Sequence, residues 1–436
     1  MRYVGDAASP HGYRRQLSML PTLALIGGYV LWNAMAVVAA QPQESYDTYR
    51  YFGLVFDIQN PGFITSALFI SIEDHLTIIY VLTGIAVIVW SLLALALLHR
   101  LNFTWVRWPL AIITLFFSMT TPIWSYNTVL LTESLTVSML VLWLASIVWV
   151  TSSAHSNSLW PLVGLLVAAG LTIFSRPQLL LVIVPIQIVL LIWIARRNQL
   201  AGIAWVTGLG LIPFIVVGLY RMYQLSTVQL YQFRYALNNL VDKGSSFRPY
   251  ALENMPSCEA VPAALNGSAP WNDVHALEST LMNSCPETWI WFNSSKASVQ
   301  SWVSADPVAA VMDFLGSMTR VQLSVMSEGR AMPEWLSNAI LNPTEPWLWM
   351  AIYLILGMSA AWIAGVRPRF TALSVLGVGV CVLSPLVFMF AMWASDGYDI
   401  SRHIYPALPF IGFALLIFPS VIPSRSSRHR DPSRSA

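Results

Sequence analysis

In this chain of 436 residues, 56% are apolar and only 10% are charged, where soluble domains carry roughly 45–50% and about 25%. So few charges cannot solvate a folded surface of this size, which excludes a soluble enzyme. A net charge of +2 leaves no basic footprint for nucleic acid.

Ten apolar runs approach the roughly 20 residues that cross a bilayer core as a helix: about 17–40, 76–98, 108–124, 134–150, 159–174, 179–195, 201–220, 347–366, 370–393 and 404–422. The third, fifth and sixth are short, so tilt or local irregularity blurs their ends. The alternating pattern of a membrane barrel is absent. The first run lacks a small-residue cleavage site and is too long for a signal's apolar core, so it reads as a span. The expected fold is an all-α polytopic membrane protein.

Orientation follows from the basic residues flanking short loops. With a cytoplasmic N-terminus, the inner segments hold Arg2, Arg14, Arg15, Arg100, Arg107, Arg196, Arg197, Arg367, Arg369, Arg425, Arg428, Arg430 and Arg434. The short outer segments hold only Arg50, Arg176 and Arg402. Both termini are therefore expected on the cytoplasmic side of the inner (plasma) membrane. Two lysines against many arginines suggest a GC-rich bacterial genome. Of the 21 carboxylates, only Asp6 and Asp431 then fall on the cytoplasmic side. Either the outer side holds most of the polar mass, or polar chemistry happens there.

The chain divides into a seven-span module (1–220), a gap (221–346) and a three-span module with a basic tail (347–436). The gap is too long for a tight connector and too apolar for a disordered linker. RMYQLSTVQLYQFRYALNNLV and DPVAAVMDFLGSMTRVQLSVM have helical apolar spacing, and Trp289, Trp291 and Trp302 favour an interface. The gap thus reads as a small outer cap of amphipathic helices against the membrane. The first outer loop, 41–75, has room for a juxtamembrane helix pair broken at Asn60-Pro61-Gly62. Cys258 and Cys285 share the gap, where an oxidising compartment permits a disulfide. Cys381 lies within a span.

Five polar stretches are able to carry chemistry. In ESYDTYRYF, Asp47 either N-caps a juxtamembrane helix, tied to Arg50, or acts as an acid or base. Glu73-Asp74-His75 is a solvated helix start or a close acid pair with one raised pKa. In SYNTVLLTESL, Thr132 is placed to cap the fourth span, with Glu133 in its first turn. SRPQ puts Arg176 at the outer start of the sixth span, and SDGYDISRHIYPALP puts Arg402 and His403 at the tenth. An arginine at such a boundary commonly snorkels to headgroups. It also opposes the helix dipole, a cost that an anionic ligand offsets. P-loop, Rossmann, HExxH and nucleophile-elbow motifs are missing. The glycines of GLGLIPFIVVG suit helix packing better than a site.

In order along the chain, SYDTYRY, NTVLLTESL, SRPQLLL and SRHIYPALP resemble the membrane-embedded GT-C glycosyltransferases. That superfamily includes protein O-mannosyltransferases and the lipid A aminoarabinose transferase. The resemblance covers the first seven spans and, more loosely, the tenth. It implies transfer of a sugar from a polyprenyl-phosphate donor to an acceptor hydroxyl, on a glycan, glycolipid or protein, at the periplasmic or outer face. It makes Asp47 the general base, with Glu73 and Asp74 in reserve. Arg176 and Arg402 become the donor-phosphate ligands, with Glu133, Tyr46, Tyr49, Arg50 and His403 around the cavity. It implies neither metal nor other cofactor. The sequence departs from better-known members in lacking an Asp-Glu pair in the first loop, and the cap resembles no soluble domain. A polymerase or ligase of polyprenyl-linked glycans would share lipid and compartment. A lipid or glycan transporter would need ionisable groups near mid-bilayer, and the span interiors are nearly free of them.

Overall fold

The computed structural model describes residues 10–40, 72, 74–100, 104–129, 132–152, 160–197, 201–227, 236–237, 240, 245–261, 270–294, 299–320, 322–323, 329–363, 383, 386–390 and 393. Among the described residues, regular structure is helical and no strand occurs. The loop-41–71 helix pair, the tenth span and most of the ninth lie outside them.

The first half is a bundle: α1 (Pro10–Ala39), α2 (His75–Arg100), α3 (Thr104–Ser118), α4 (Thr121–Asn127), α5 (Thr132–Ser152), α6 (Trp160–Ser175), α7 (Leu180–Arg197) and α8 (Ala201–Thr227). Among the described residues, three stretches are long and apolar enough to cross a membrane: Met19–Ala39, His75–His99 and Glu133–Thr151. A 21-residue helix rises about 30 Å, the thickness of a hydrocarbon core. Counted as one bent span, α3 and α4 would make a fourth, and four shorter apolar helices occur among the described residues.

Helix α5 is the centre of the bundle, packed against α2 and α6. In its membrane-length window 78% of residues are buried, against 22% for α1, which lies at the edge. Between apolar helices in lipid, close backbone approach and polar cross-links replace the hydrophobic drive. Both occur here. Gly170 of α6 lies under the Phe214 ring of α8, and Gly218 of α8 sits between Ile173 and Leu180. Trp143 Nε1 donates to Gln187 Oε1 at 2.8 Å between α5 and α7. The Tyr29 and Ser118 hydroxyls share a 2.8 Å bond between α1 and α3.

The third span is broken, contrary to its reading as one run over 108–124. α3 and α4 meet at 55°. Pro122 cannot donate to the Ser118 carbonyl and crowds it, so the ladder stops there. Thr120 turns extended, and its hydroxyl and amide both bond the Phe117 carbonyl.

Among the described residues, the region expected as a cap holds six short helices: α9 (Phe247–Asn254), α10 (Pro270–Ser284), α11 (Pro286–Phe292), α12 (Val299–Ala305), α13 (Pro307–Arg320) and α14 (Glu334–Ile340). They are followed by the apolar α15 (Pro346–Ile363). The Cys258–Cys285 disulfide fixes the chain after α9 to the start of α11. Asp313 of α13 accepts from Ser245 Oγ and Ser246 N, which anchors the start of α9. Phe247, Trp302, Phe314, Phe390 and Trp393 form one aromatic core, with neighbouring ring centroids 5.3–5.8 Å apart.

These helices are fastened to one end of the bundle. Ser337 Oγ of α14 accepts from the Thr121 amide at 2.7 Å, supplying one bond that the start of α4 lacks. Trp32 Nε1 of α1 donates to the Ala331 carbonyl, and Tyr353 of α15 donates to Ile340 O at 2.6 Å.

Candidate functional site

At that same end, three helix boundaries bring buried polar groups together. The first is the α4–α5 corner. Thr128 bonds back to the Ser125 carbonyl through its hydroxyl at 3.0 Å, closing α4. Ser134 Oγ then donates to Asn127 Oδ1 at 2.5 Å across the corner. This fold-back places Glu133 in the first turn of α5, where the helix dipole favours a carboxylate. Residues 133–141 are all buried.

The second boundary is the α6–α7 corner. Ser175 and Thr172 hydroxyls satisfy carbonyls one turn back, ending α6. Pro177 steers the residue before it out of helical geometry, and Arg176 has φ −151 and ψ 103. A 3₁₀ turn over Pro177–Leu179 follows and leads into α7. The extended backbone turns the Arg176 side chain toward α5. Its Nη1 lies 3.7 Å from Glu133 Oε1, with the two side chains 10% and 3% exposed. The distance exceeds a hydrogen bond's, so this is a charge contact without a tight fork.

The third boundary, at the end of α8, differs from the sequence expectation. The sequence suggested that the seventh span ends at 220 and that a surface helix starts at Arg221. Instead α8 runs unbroken to Thr227. Arg221 is 2% exposed, and its Nη1 donates to the Phe174 carbonyl at 2.9 Å. A guanidinium on one of the last carbonyls of α6 complements the negative end of that helix. It also braces the turn that carries Arg176. The available signal was spacing: Arg221 continues the helical register of the preceding apolar run.

Trp124, Tyr126 and Asn127 are buried on α4, and Asn127 is joined to Ser134, the residue after Glu133. The indole nitrogen of Trp124 and the Oε1 of Gln178 are buried and have no hydrogen-bond partner among the described residues. Groups of this kind are where a ligand's polar atoms or ordered water are accommodated.

Of the sequence-predicted site residues, Glu133 and Arg176 are brought into contact. Asp47, Tyr46, Tyr49, Arg50, Glu73, Arg402 and His403 lie outside the described residues. Asp74, a reserve acid, is exposed and serves as the N-cap of α2. Its Oδ2 accepts from the Thr77 amide at 2.8 Å and the Thr77 hydroxyl at 2.6 Å. Those bonds hold its carboxyl below the usual value of 3.8. Cys258 and Cys285 are joined to each other, remote in sequence from the charged corners. No group of three His, Cys, Asp or Glu side chains able to hold a metal forms among the described residues.

The arrangement provides a fixed guanidinium and carboxylate, shielded from water, at the end of an apolar bundle. In such a setting charge acts over short range with little screening. Comparison with protein families, with curated proteins and with solved structures gives no match.

Proposed function

We propose that the chain is a glycosyltransferase that moves a sugar from a polyprenyl-phosphate donor to an acceptor hydroxyl on the outer face of the membrane. The observation that supports this reading best is the buried contact of Glu133 with Arg176. Ionisable groups enclosed in an apolar bundle are costly and commonly mark function. Here they come from two of the four segments that carry the GT-C resemblance, NTVLLTESL and SRPQLLL.

In this reading the protein has ten spans with both termini cytoplasmic, and the 221–346 cap covers the outer site. Asp47 accepts the proton of the acceptor hydroxyl as its oxygen attacks the anomeric carbon. The bond from that carbon to the phosphate oxygen breaks, and the polyprenyl phosphate leaves with the electron pair. Arg176 and Arg402 stabilise the charge gathering on that oxygen, the step where fixed positive groups contribute most. Glu133 holds the Arg176 guanidinium in place, and Tyr46, Tyr49, Arg50 and His403 shape the cavity. Acceptors are hydroxyls of a glycan, glycolipid or protein.

The test combines two measurements. Mass spectrometry of lipid that copurifies with the protein should reveal a polyprenyl monophosphate. Asp47→Asn should abolish transfer from a polyprenyl-phosphate sugar at normal expression. A diphosphate-linked glycan in the first measurement, or full transfer in the second, refutes the assignment.

A further inference from the structure

Helix α13 is apolar on two faces, and among the described residues only one of them packs against the rest of the protein. Ala310, Phe314 and Met318 recur every four residues and are buried. Phe314 packs on Phe390 and Trp393, with ring centroids 5.3 and 5.7 Å away. Val308, Val311, Met312 and Leu315 form a second stripe at helical spacing, 72, 47, 63 and 47% exposed. No charged residue interrupts it. Asp306 caps the helix start through the Ala309 amide, and Asp313 is occupied with Ser245 and Ser246.

The position of α13 says what meets this stripe. Its last turn is tied to the start of α15, because Trp347 Nε1 donates to the Met318 carbonyl. α15 is an 18-residue apolar helix with Leu348, Leu354, Ile355, Leu356 and Met358 exposed, as lipid-facing residues are. The other attachment, through Phe390 and Trp393, is to the end of a second apolar run, 370–393. A helix held at the ends of two apolar runs, both expected from the sequence as spans, lies at the level of the headgroups. A stripe of large apolar side chains in that layer is the signature of a helix resting in the interface plane.

We infer that α13 rests in the leaflet at the cap end of the bundle, with Val308, Val311, Met312 and Leu315 dipped among the lipid chains. The occupant of this surface is the bilayer itself. The cap is thereby set at a fixed height over the Glu133–Arg176 corner, whatever reaction occurs there.

The experiment uses the full chain in phospholipid nanodiscs, with Cys381→Ser as background and the disulfide intact. Nitroxide labels are placed through Met312→Cys, Leu315→Cys, Ile355→Cys and Glu253→Cys, and their collisions with oxygen and a water-soluble nickel chelate are compared. Ile355 on α15 is the lipid reference, and Glu253, exposed on α9, is the aqueous reference. Labels at 312 and 315 should collide more with oxygen than with nickel, as at 355. The same excess of nickel collisions at 312 and 315 as at 253 overturns the inference. Dipolar broadening between labels at 312 also overturns it, because a second copy would then cover the stripe.

Discussion

Glu133 and Arg176 face each other at 3.7 Å across two helix corners, each buried and each fixed by backbone geometry next to a polar turn. Breaking a buried pair by removing one partner costs about 3–5 kcal/mol, because the other charge is left in an apolar site. Glu133→Gln should therefore lower the thermal midpoint of the detergent-solubilised protein by several degrees. Arg176→Gln added to it should recover part of that loss. Strictly additive losses in this double-mutant cycle would show that the two side chains do not interact.

Arg221 should act through the same corner. Replacing it with Met keeps the bulk and removes the bond to the Phe174 carbonyl. A lost hydrogen bond to a charged group is worth about 1.5–3 kcal/mol. Amide exchange in residues 172–179 should speed up more than exchange in α2. Equal protection throughout would mean that the brace does not hold the turn.

Gly170 tests the packing of α6 on α8. A methyl group there would lie 2.5 Å from the Phe214 ring, so that ring or its helix must shift. Gly170→Ala should destabilise by about 1–3 kcal/mol, the usual result of overpacking. Phe214→Leu in the same chain should relieve it. A midpoint unchanged by Gly170→Ala contradicts this packing.

The disulfide closes a loop with a sequence separation of 27, for which chain entropy gives about 3.5 kcal/mol. Cys258→Ser with Cys285→Ser should expose residues 255–290 to limited proteolysis before the bundle is cut. Cleavage that begins in the bundle instead would place the weak point elsewhere.

Asp74 gives a pH dependence with a defined sign. Its folded pKa lies below its unfolded value because Thr77 donates twice to the carboxylate. The cap therefore stabilises α2 fully above the unfolded value near 3.8, and the contribution is lost as pH falls through the lower folded value. Asp74→Asn should flatten stability against pH in that acidic window and leave it unchanged in slope near neutrality. A wild-type slope in the acidic window after the substitution would assign it to other groups.

The helical character and the apolar stretches were legible because burial in lipid leaves a composition that water would not permit. The glycines of α8 were legible as packing for the same reason: Gly218 has no Cβ where Ile173 and Leu180 press in. The break before α4 is not legible in the sequence, because a proline such as Pro122 in a membrane helix is often absorbed by a kink. Thr120 instead turned extended, and a hydroxyl from more than two hundred residues away completed the new helix start. The role of Arg221 is not legible because a charge after an apolar run looks like the edge of water, whereas here it meets a helix end. The meeting of Glu133 with Arg176 depends on how α5 and α6 pack, which spacing along one chain does not encode.

The bond from the Thr121 amide to Ser337 has a mechanical consequence. Straightening the 55° bend between α3 and α4 requires that amide to seek a carbonyl of its own helix, and Ser337 must then let go. The bend and the seating of α14 are thus one latch. Release of α14 and unbending of the α3–α4 corner would be the two ends of a single movement.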